Sequence, residues 1–418
     1  MPASTSTTHP RSALGDPPAP SPVTYLKLAT LAAAMFLVGT NAFVIAGLLP
    51  DIAHGLDASV TAVSYSITWY ALVVAVAAPA VSILLARWSR THLMTAGLVL
   101  VALGTLLAAA AGSVVVFTVG RIVAALGGAA LVPVATAAAA TLLPAAQRGR
   151  ALAIVAVGFT LAAAVGSPLG TAGGAVGGWR LPLYVLAALA VVVAAAVQLL
   201  VRHIPRDASA TLAQRLAPLR DRRIVLALAT TLLMLAGFNI VYIFSAAVTA
   251  QATAGSGPGL ALLLLLYGIG GVLGNVVAGP LTDRIGSRRA ITAALAAEAV
   301  VLIAMPVLHM TYLEATILFV IWGAAAFAAV VPLQHRMVAI DPATAALALS
   351  WYTTAMYIGV AVAPPIGAAA LTLAGPALLP VVGAIAVLAG LAAFHLGYLR
   401  RTASSVSAPR RRRSATAR

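Results

Sequence analysis

The sequence predicts an all-α integral membrane protein whose twelve transmembrane helices form two pseudo-symmetric six-helix bundles. Three observations predict it: a strongly apolar composition, long stretches without charged residues, and an internal repeat. Of the 418 residues, 62% are hydrophobic and 8% are charged, whereas soluble domains carry about 25% charged residues. This composition excludes a soluble globular protein and a disordered chain.

Nine stretches of the sequence lack Asp, Glu, Lys and Arg and are long enough to cross a bilayer, which takes about 20 apolar residues. Two of them, 224–282 and 342–399, are each long enough for two spans and are interrupted by Gly and Pro at 254–259 and 374–376. The segment 290–309, apolar apart from Glu298, gives the twelfth span. Only helices satisfy their backbone groups across so many lipid-embedded segments. The other seven stretches are 28–50, 58–86, 91–120, 122–147, 151–179, 181–201 and 315–335.

The basic residues predict that both termini face the cytoplasm. With that orientation, 23 of the 25 Lys and Arg residues fall in cytoplasmic segments, Arg180 lies in an outer loop and Arg121 lies within a span. This asymmetry follows the positive-inside rule. The net charge of +16 is therefore assigned to contact with anionic lipids and not to nucleic acid.

The chain divides at an Arg-rich segment after the sixth span. We expect an N-terminal six-helix bundle at 23–201, a cytoplasmic linker at 202–222 and a C-terminal six-helix bundle at 223–400. Residues 1–22, rich in Pro, Ser and Thr, are expected to form a disordered cytoplasmic N-terminus. Residues 401–418 are expected to form a basic cytoplasmic tail.

An internal repeat supports this division. A shift of 197 positions aligns 166–170 of span 5 with 363–367 of span 11, and Trp69-Tyr70 with Leu266-Tyr267. A shift of 198 aligns Asn41 with Asn239. Parallel repeats of this kind place a binding site between the halves, near the middle of the bilayer.

Span 5 carries a small residue at every fourth position, around Pro168, and span 11 has a matching series at 355, 359, 363 and 367. A helix face without large side chains lets another backbone approach closely. Static packing is one interpretation, and a sliding surface between the halves is the other; the matching series favour the second. The helix-packing residues of span 5 are Gly158, Gly166, Pro168, Gly170 and Gly174.

Four motifs together resemble the major facilitator superfamily, specifically its twelve-span drug:proton antiporters, over roughly residues 25–400. Gly279-Pro280-Leu281-Thr282-Asp283-Arg284-Ile285-Gly286-Ser287-Arg288-Arg289 is similar to the superfamily's loop motif. Gly120-Arg121 with Gly127 resembles the fourth-helix motif, and residues 158–173 with Gly178-Trp179-Arg180 resemble the fifth-helix motif associated with antiporters. Residues 47–52 resemble the end of span 1 in bacterial chloramphenicol, arabinose and purine exporters. The resemblance implies the major facilitator fold and export driven by the proton gradient, without a cofactor.

Two departures from the family pattern matter. The N-terminal copy of the loop motif carries Ala86 where an acid is expected, which implies a weaker cytoplasmic latch on that side. Close relatives often carry a carboxylate in span 1 after Gly-Thr, where this chain has Asn41. The proton carrier therefore cannot be assigned by resemblance.

The charged residues within or at the ends of the spans are candidates for gating or coupling groups. Glu298 alone among nine acids lies well within a span, and an ionisable group in the membrane is a functional hypothesis. Because span 9 is expected to be peripheral, Glu298 is interpreted either as a coupling group or, preferably, as a structural one. Arg121 cannot shed its charge and is expected to gate or couple transport. The other candidates are Asp51, Asp283, Arg284 and Arg288, with Asp283 expected to cap a helix or pair with Arg at an inward gate.

Polar and aromatic residues on the cavity-type helices predict the substrate site. Aromatic side chains with one polar group suit amphipathic organic ligands, although such residues near span ends also serve as interface anchors. Tyr65 and Trp69 are four apart and share a helix face. The predicted cavity residues are Asn41, Tyr65, Trp69, Phe238, Asn239, Tyr242, Tyr267, Asn275 and Tyr357.

The sequence favours a transporter over an enzyme, because it has no metal-ligand cluster, P-loop or nucleophile elbow. We expect a monomeric bacterial plasma-membrane exporter whose partners are a small-molecule substrate, protons and lipids. No carboxylate is expected in the cavity, so neutral or weakly acidic substrates are predicted, including antibiotics. The alternatives are a sugar or nucleoside exporter, a proton-coupled uptake symporter, and a non-transporting membrane sensor or scaffold.

Overall fold

A computed structural model describes residues 21–85, 88–144, 147–202, 204, 212–308 and 311–398. Within these residues twelve helices are long and apolar enough to cross a membrane, as the sequence predicts. The predicted basic tail and the predicted disordered N-terminus, except for Ser21 and Pro22, lie outside the described residues. In chain order, spans 1 to 12 are Pro22–Gly55, Val60–Val81, Arg90–Ala109, Val114–Leu142, Arg148–Gly177, Arg180–Leu200, Arg222–Ile243, Gly257–Ile285, Ser287–Val307, Tyr312–Ile340, Ala345–Ala374 and Leu378–Leu396.

The two long charge-free stretches break where Gly and Pro predict. Between spans 7 and 8 the backbone has φ of 48° at Ala254 and 74° at Gly255, and between spans 11 and 12 Gly375 has φ of 74°. Glycine adopts positive φ at little steric cost. Ser256 then begins span 8, because its hydroxyl accepts a hydrogen bond from the Gly259 N–H at 3.2 Å.

Spans 5 and 10 are each built from two helical pieces. Span 5 consists of Arg148–Leu161, a π-helical turn at Ala162–Gly166, and Ser167–Gly177. Pro168 follows the turn directly, and its ring and missing N–H are incompatible with an unbroken α-helical ladder. Span 10 consists of Tyr312–Ala328 and Val330–Ile340.

The linker before span 7 contains a short helix at Leu212–Leu216 and a 3₁₀ turn at Ala217–Arg220. The Trp351 indole N–H donates to the Arg215 carbonyl at 2.8 Å, which fastens the linker to the start of span 11. Asp221 caps span 7, accepting from the Arg223 backbone N–H at 2.8 Å and pairing with its guanidinium at 2.7 Å. The hydrogen bond from Arg223 holds the pKa of the Asp221 carboxyl below its usual value.

Apolar side chains form one core mainly from spans 1–6 and another mainly from spans 7–12. A smaller cluster joins spans 2, 4 and 11 through Tyr70, Tyr357 and the alanines between them. Thr68 of span 2 also donates to the Ala361 carbonyl of span 11 at 2.8 Å. Span 8 meets the second half of span 5, where a Cβ on Gly268 would overlap the Ala164 backbone. The two sets of six helices therefore meet along spans 2 and 11 and along spans 5 and 8.

The small-residue series lie inside their own halves of the molecule, which corrects the expectation of a sliding surface between halves. A Cβ on Gly158 would overlap the Ala32 carbonyl of span 1, and Cβ atoms on Gly166, Gly170 and Gly174 would overlap Thr40, Val44 and Leu48 of the same span. In the second half, a Cβ on Gly359 would lie 2.5 Å from the Leu232 carbonyl of span 7. Because each series holds two helices of one half together, the contacts favour static packing.

Candidate transport cavity

A cavity lies where spans 1, 2, 5, 7 and 11 meet. The volume of the cavity is about 40 Å³, which is enough for about three water molecules. The lining is largely apolar and consists of Ala42, Phe43, Ala46, Ile67, Tyr70, Phe159, Leu235, Asn239, Tyr242, Ile243, Met356, Tyr357 and Val360.

The polar groups at this cavity are mostly unpartnered. The hydroxyls of Tyr70, Tyr242 and Tyr357 are buried and have no hydrogen-bond partner in the described part of the chain. The Asn239 amide donates to the Leu235 carbonyl of its own helix at 2.7 Å. A buried hydroxyl without a partner is costly, so these groups favour a ligand or water that can both donate and accept hydrogen bonds.

Three of the predicted cavity residues line it: Asn239, Tyr242 and Tyr357. Phe238 and Tyr267 stand behind this wall, with their rings stacked at 5.6 Å between centroids. Asn275 lies away from the lining, and its buried amide oxygen has no hydrogen-bond partner among the described residues. Asn41 does not line the cavity; it accepts a hydrogen bond from Arg121 instead.

Tyr65 and Trp69 are not part of the cavity, which corrects their prediction. Their side chains are 40% and 51% exposed and are not among its lining residues. They do share a helix face, but the face of span 2 that points inward carries Ile67, Tyr70 and Val74. The apolar length of span 2 gave no indication of which face is buried.

Arg121 is the centre of a buried hydrogen-bond network. One Nη donates to the Asn41 backbone carbonyl at 2.8 Å and to its side-chain oxygen at 2.5 Å. The Asn41 amide donates in turn to the Thr105 hydroxyl at 2.6 Å, and Thr105 donates to the Val101 carbonyl. Span 4 is thus tied to spans 1 and 3 by a charged group that is 1% exposed.

The rest of the guanidinium lies against the cavity wall. Its central carbon is 4.3 Å from the centroid of the Tyr70 ring, a cation–π contact. The Nε and the second Nη have no hydrogen-bond partner in the described chain. Since Tyr70 lines the cavity, a permanent positive charge stands directly behind that wall.

Glu298 lies in the interior of the second half, with 0% of its surface exposed. Neither carboxyl oxygen has a hydrogen-bond partner among the described residues. Trp322 of span 10 and Tyr267 of span 8 lie close enough to interact with it. Span 9 does not line the cavity, but Glu298 points into the bundle and not toward lipid.

The sequence profile of the Major Facilitator Superfamily matches this chain in two overlapping stretches, residues 31–345 and 226–418. The chain belongs to the major facilitator superfamily. It is 31% identical to the inner membrane transport protein YdhP of Escherichia coli over 87% of this chain and 93% of that one. It is also 31% identical to the chloramphenicol efflux pump Rv0191 of Mycobacterium tuberculosis, over 80% and 83% of the two chains. The crystal structure of a mutant of the nucleoside transporter NupG has the same fold, with a TM-score of 0.74 at 12% identity, covering 90% of this chain and all of that one.

The remaining charged candidates of this major facilitator transporter are exposed at span ends. Asp51 lies near the end of span 1, and Asp283 and Arg284 lie in the last turn of span 8. No ion pair joins Asp283 to an arginine within the described residues, so the inward-gate pair expected there is not formed in this structure. Arg288 instead contacts the Tyr398 ring, 4.8 Å from its centroid. A gating role for Asp283 stays a prediction.

Sequence reasoning missed several residues of the transporter's cavity, chiefly Tyr70, Phe43, Phe159 and Met356. A signal for Tyr70 was present, because the internal repeat pairs it with Tyr267. Both are buried tyrosines on the central faces of equivalent helices. Trp322, which packs 4.6 Å from Tyr267 between ring centroids, has no such counterpart in the repeat.

Proposed function

We propose that this transporter exports small amphipathic organic compounds, neutral or weakly acidic, in exchange for protons. The observation that carries the proposal is the cavity between the halves, with its aromatic and aliphatic wall and three unpartnered tyrosine hydroxyls. Such a site binds an apolar body and pairs with a few hydroxyl or amide groups of the ligand.

The charges around the cavity favour neutral or anionic ligands. None of the described residues that line it is acidic, and Arg121 stands behind Tyr70. A cation that leaves water needs a carboxylate to offset its desolvation. Lipophilic cations are therefore expected to be poor substrates.

The relatives support the direction and the class of substrate. One relative is named a chloramphenicol efflux pump, and chloramphenicol is a neutral aromatic compound with hydroxyl and amide groups. The fifth-helix motif resembles that of antiporters. The transport is proposed to be driven by the proton gradient without a cofactor, by a monomer in a bacterial plasma membrane.

The proposed orientation has both termini and the linker in the cytoplasm, so that 23 of 25 basic residues face inward. Because the chain has no native Cys, a single Ser209→Cys substitution gives a clean probe of the linker. Labelling by an impermeant maleimide only after the membrane is opened supports the orientation. Labelling of intact cells contradicts it.

The function is tested in inside-out vesicles from a host that lacks its own drug pumps. An acid interior should drive uptake of radiolabelled chloramphenicol only when the chain is present, and a protonophore should abolish it. Uptake only under the opposite gradient indicates a symporter, and binding without flux indicates a sensor. Either result contradicts the proposal, as does a strong preference for tetraphenylphosphonium.

Matched variants locate the site. Tyr242→Phe and Tyr357→Phe each remove one cavity hydroxyl and are expected to raise the KM for chloramphenicol by about 5- to 10-fold, since a lost hydrogen bond costs about 1 kcal/mol. Trp69→Phe is the control, because Trp69 is exposed and does not line the cavity. Equal changes of KM in all three variants would contradict the proposal that the drug binds in the cavity.

A further inference from the structure

Glu298 is the one acid that the described chain holds in the middle of a span, and it is fully buried without a hydrogen-bond partner. An unpaired carboxylate in such a place is far more costly than the neutral acid. The geometry of this arrangement therefore fits a carboxyl group that holds a proton.

Unpartnered polar atoms continue from Glu298 to the cavity. Tyr267 and Trp322 lie beside Glu298, and Tyr242, whose ring centroid is 5.5 Å from that of Tyr267, lines the cavity. The two hydroxyls and the indole N–H are buried, and none has a hydrogen-bond partner among the described residues. Trp322 lies within hydrogen-bonding reach of Glu298, and Tyr242 within reach of Ser167, but none of the four side chains forms a well-aligned hydrogen bond in the described chain, which is costly for a purely structural device.

The side chains in this row differ in what they do with a proton. A phenol hydroxyl accepts one proton and donates another, whereas an indole N–H only donates. Tyr267 and Tyr242 are thus suited to pass a proton between Glu298 and the cavity. Trp322 is suited to orient the carboxyl group.

Among the residues that the structure describes, the elements packed against span 9 place their other charged groups toward the ends of the spans, away from Glu298. Span 8 contributes Tyr267, and its Asp283 and Arg284 are exposed in its last turn. Span 10 contributes Trp322, while Glu314 lies in its first turn and His335 and Arg336 lie in its last turns. Span 12 contributes His395, which contacts Thr292, six residues before Glu298 on span 9. Proton exchange at Glu298 therefore depends on the tyrosine row.

We propose that Glu298 binds and releases the proton of the transport cycle, and that this proton reaches the cavity through the hydroxyls of Tyr267 and Tyr242. The carboxyl O–H breaks as its proton passes to Tyr267, Tyr267 gives its own proton to Tyr242, and Tyr242 gives its own to water in the cavity. The net products are a carboxylate and one hydronium ion, and both hydroxyls are regenerated. The inference rests on the proposed proton antiport and names the carrier that the family resemblance leaves unassigned.

The test uses the full chain in proteoliposomes with radiolabelled chloramphenicol and two assays. Exchange of labelled for unlabelled drug without a pH gradient needs no net proton movement. Accumulation driven by a pH gradient needs it, and an internal pH dye reports the proton movement directly. Glu298→Gln is expected to keep exchange within about twofold of wild type and to lose gradient-driven accumulation and drug-coupled proton movement by at least ~10-fold.

Two further variants separate a proton relay from a structural role. Tyr267→Phe keeps the ring and removes the hydroxyl, so it should slow coupled transport by about 10-fold while exchange persists. Glu314→Gln is the matched control, because Glu314 is a half-buried capping residue at the start of span 10, away from the middle of the span. It should behave as wild type in both assays.

Each result is decisive. Normal gradient-driven accumulation by Glu298→Gln, or equal loss of exchange and accumulation in that variant, overturns the role of Glu298 while wild-type transport preserves the proposed function. A wild-type chain that neither exchanges nor accumulates chloramphenicol overturns the proposed function and the carrier together.

Discussion

The two halves of the molecule place different charged groups behind equivalent tyrosines. Tyr70 and Tyr267 are paired by the internal repeat, and both are buried. Behind Tyr70 lies Arg121, held by Asn41 and by the tyrosine ring. Beside Tyr267 lies Glu298, with no hydrogen bond among the described residues. One half thus holds a permanent charge, and the other holds a group that can lose its charge.

The paired asparagines have diverged in the same way. Asn41 accepts from Arg121 and has no surface in the cavity, whereas Asn239 bonds its own helix and lines the cavity. The first half therefore uses its polar residues to bind a fixed charge, and the second presents them to the ligand.

Replacement of the Arg121 guanidinium should have the largest effect on transport. Arg121→Lys keeps the charge but cannot donate to Asn41 and stack on Tyr70 in the same way, since Lys lacks the planar guanidinium. We expect a fall in drug transport of about 10- to 100-fold at normal protein level, measured in inside-out vesicles. Arg222→Lys, exposed at the start of span 7, is the control. If Arg121→Lys transports the drug as wild type does, a positive charge at this position is sufficient and the guanidinium contacts are not needed.

Substitutions of Asn41 and Asn239 test whether the two halves use their polar residues differently. Asn41→Leu removes the side-chain acceptor of Arg121 and leaves it only the backbone carbonyl of residue 41, so it should lower the free energy of unfolding by about 1–3 kcal/mol. Asn239→Leu breaks only a bond within its own helix and should change stability less, while it impairs chloramphenicol binding. Thermal unfolding in detergent, followed by Trp fluorescence, and the KM for the drug distinguish the two. Similar profiles for both variants would contradict the division of roles.

Helix packing should be alike in both halves. Gly158→Ala pushes a methyl group into the Ala32 carbonyl, and Gly359→Ala pushes one toward the Leu232 carbonyl. Each should cost about 1–3 kcal/mol of stability. Gly173→Ala is the control in span 5, because its Cβ would meet only Pro182 at 3.8 Å. Loss of transport without loss of stability would instead restore the sliding-surface interpretation.

The smallest effect is expected at Asp221, where the second half begins. Asp221→Asn keeps the helix cap and removes the ion pair with Arg223, so it should cost at most about 1 kcal/mol. Because the pKa of Asp221 is lowered in the folded state, this stability is present above its unfolded pKa of about 3.9 and is lost as the pH falls through the folded value. Unfolding curves of wild type and variant should therefore converge below about pH 4. A gap that widens in acid would contradict the ion pair.

The sequence was a sufficient guide to the membrane spans but not to the cavity. Apolar length and Gly-Pro interruptions separate spans 7 and 8 and spans 11 and 12, because those features act locally. The face that a span buries depends on its neighbours, and in span 2 every face is apolar enough for lipid. Trp69 was therefore chosen where the adjacent Tyr70 lines the cavity. Glu298 lies on a span that does not line the cavity, and its inward direction depends on Tyr267 and Trp322, which are distant in sequence.

The π-helical turn at Ala162–Gly166 has a consequence for how this chain varies by insertion and deletion. Residues four apart on an α-helix drift by about 40° per step, so a series of five would spread over about 160°. The wider turn absorbs part of that drift and keeps Gly170 and Gly174 on span 1. A π-helical turn holds one residue more than the α-helical turn it replaces, so deletion of one alanine from it would leave a regular α-helix with both glycines still directed at span 1. Span 5 is therefore a place where a single-residue gap in an otherwise ordinary alignment marks the loss of a π-helical turn and not a rotation of the helix beyond it.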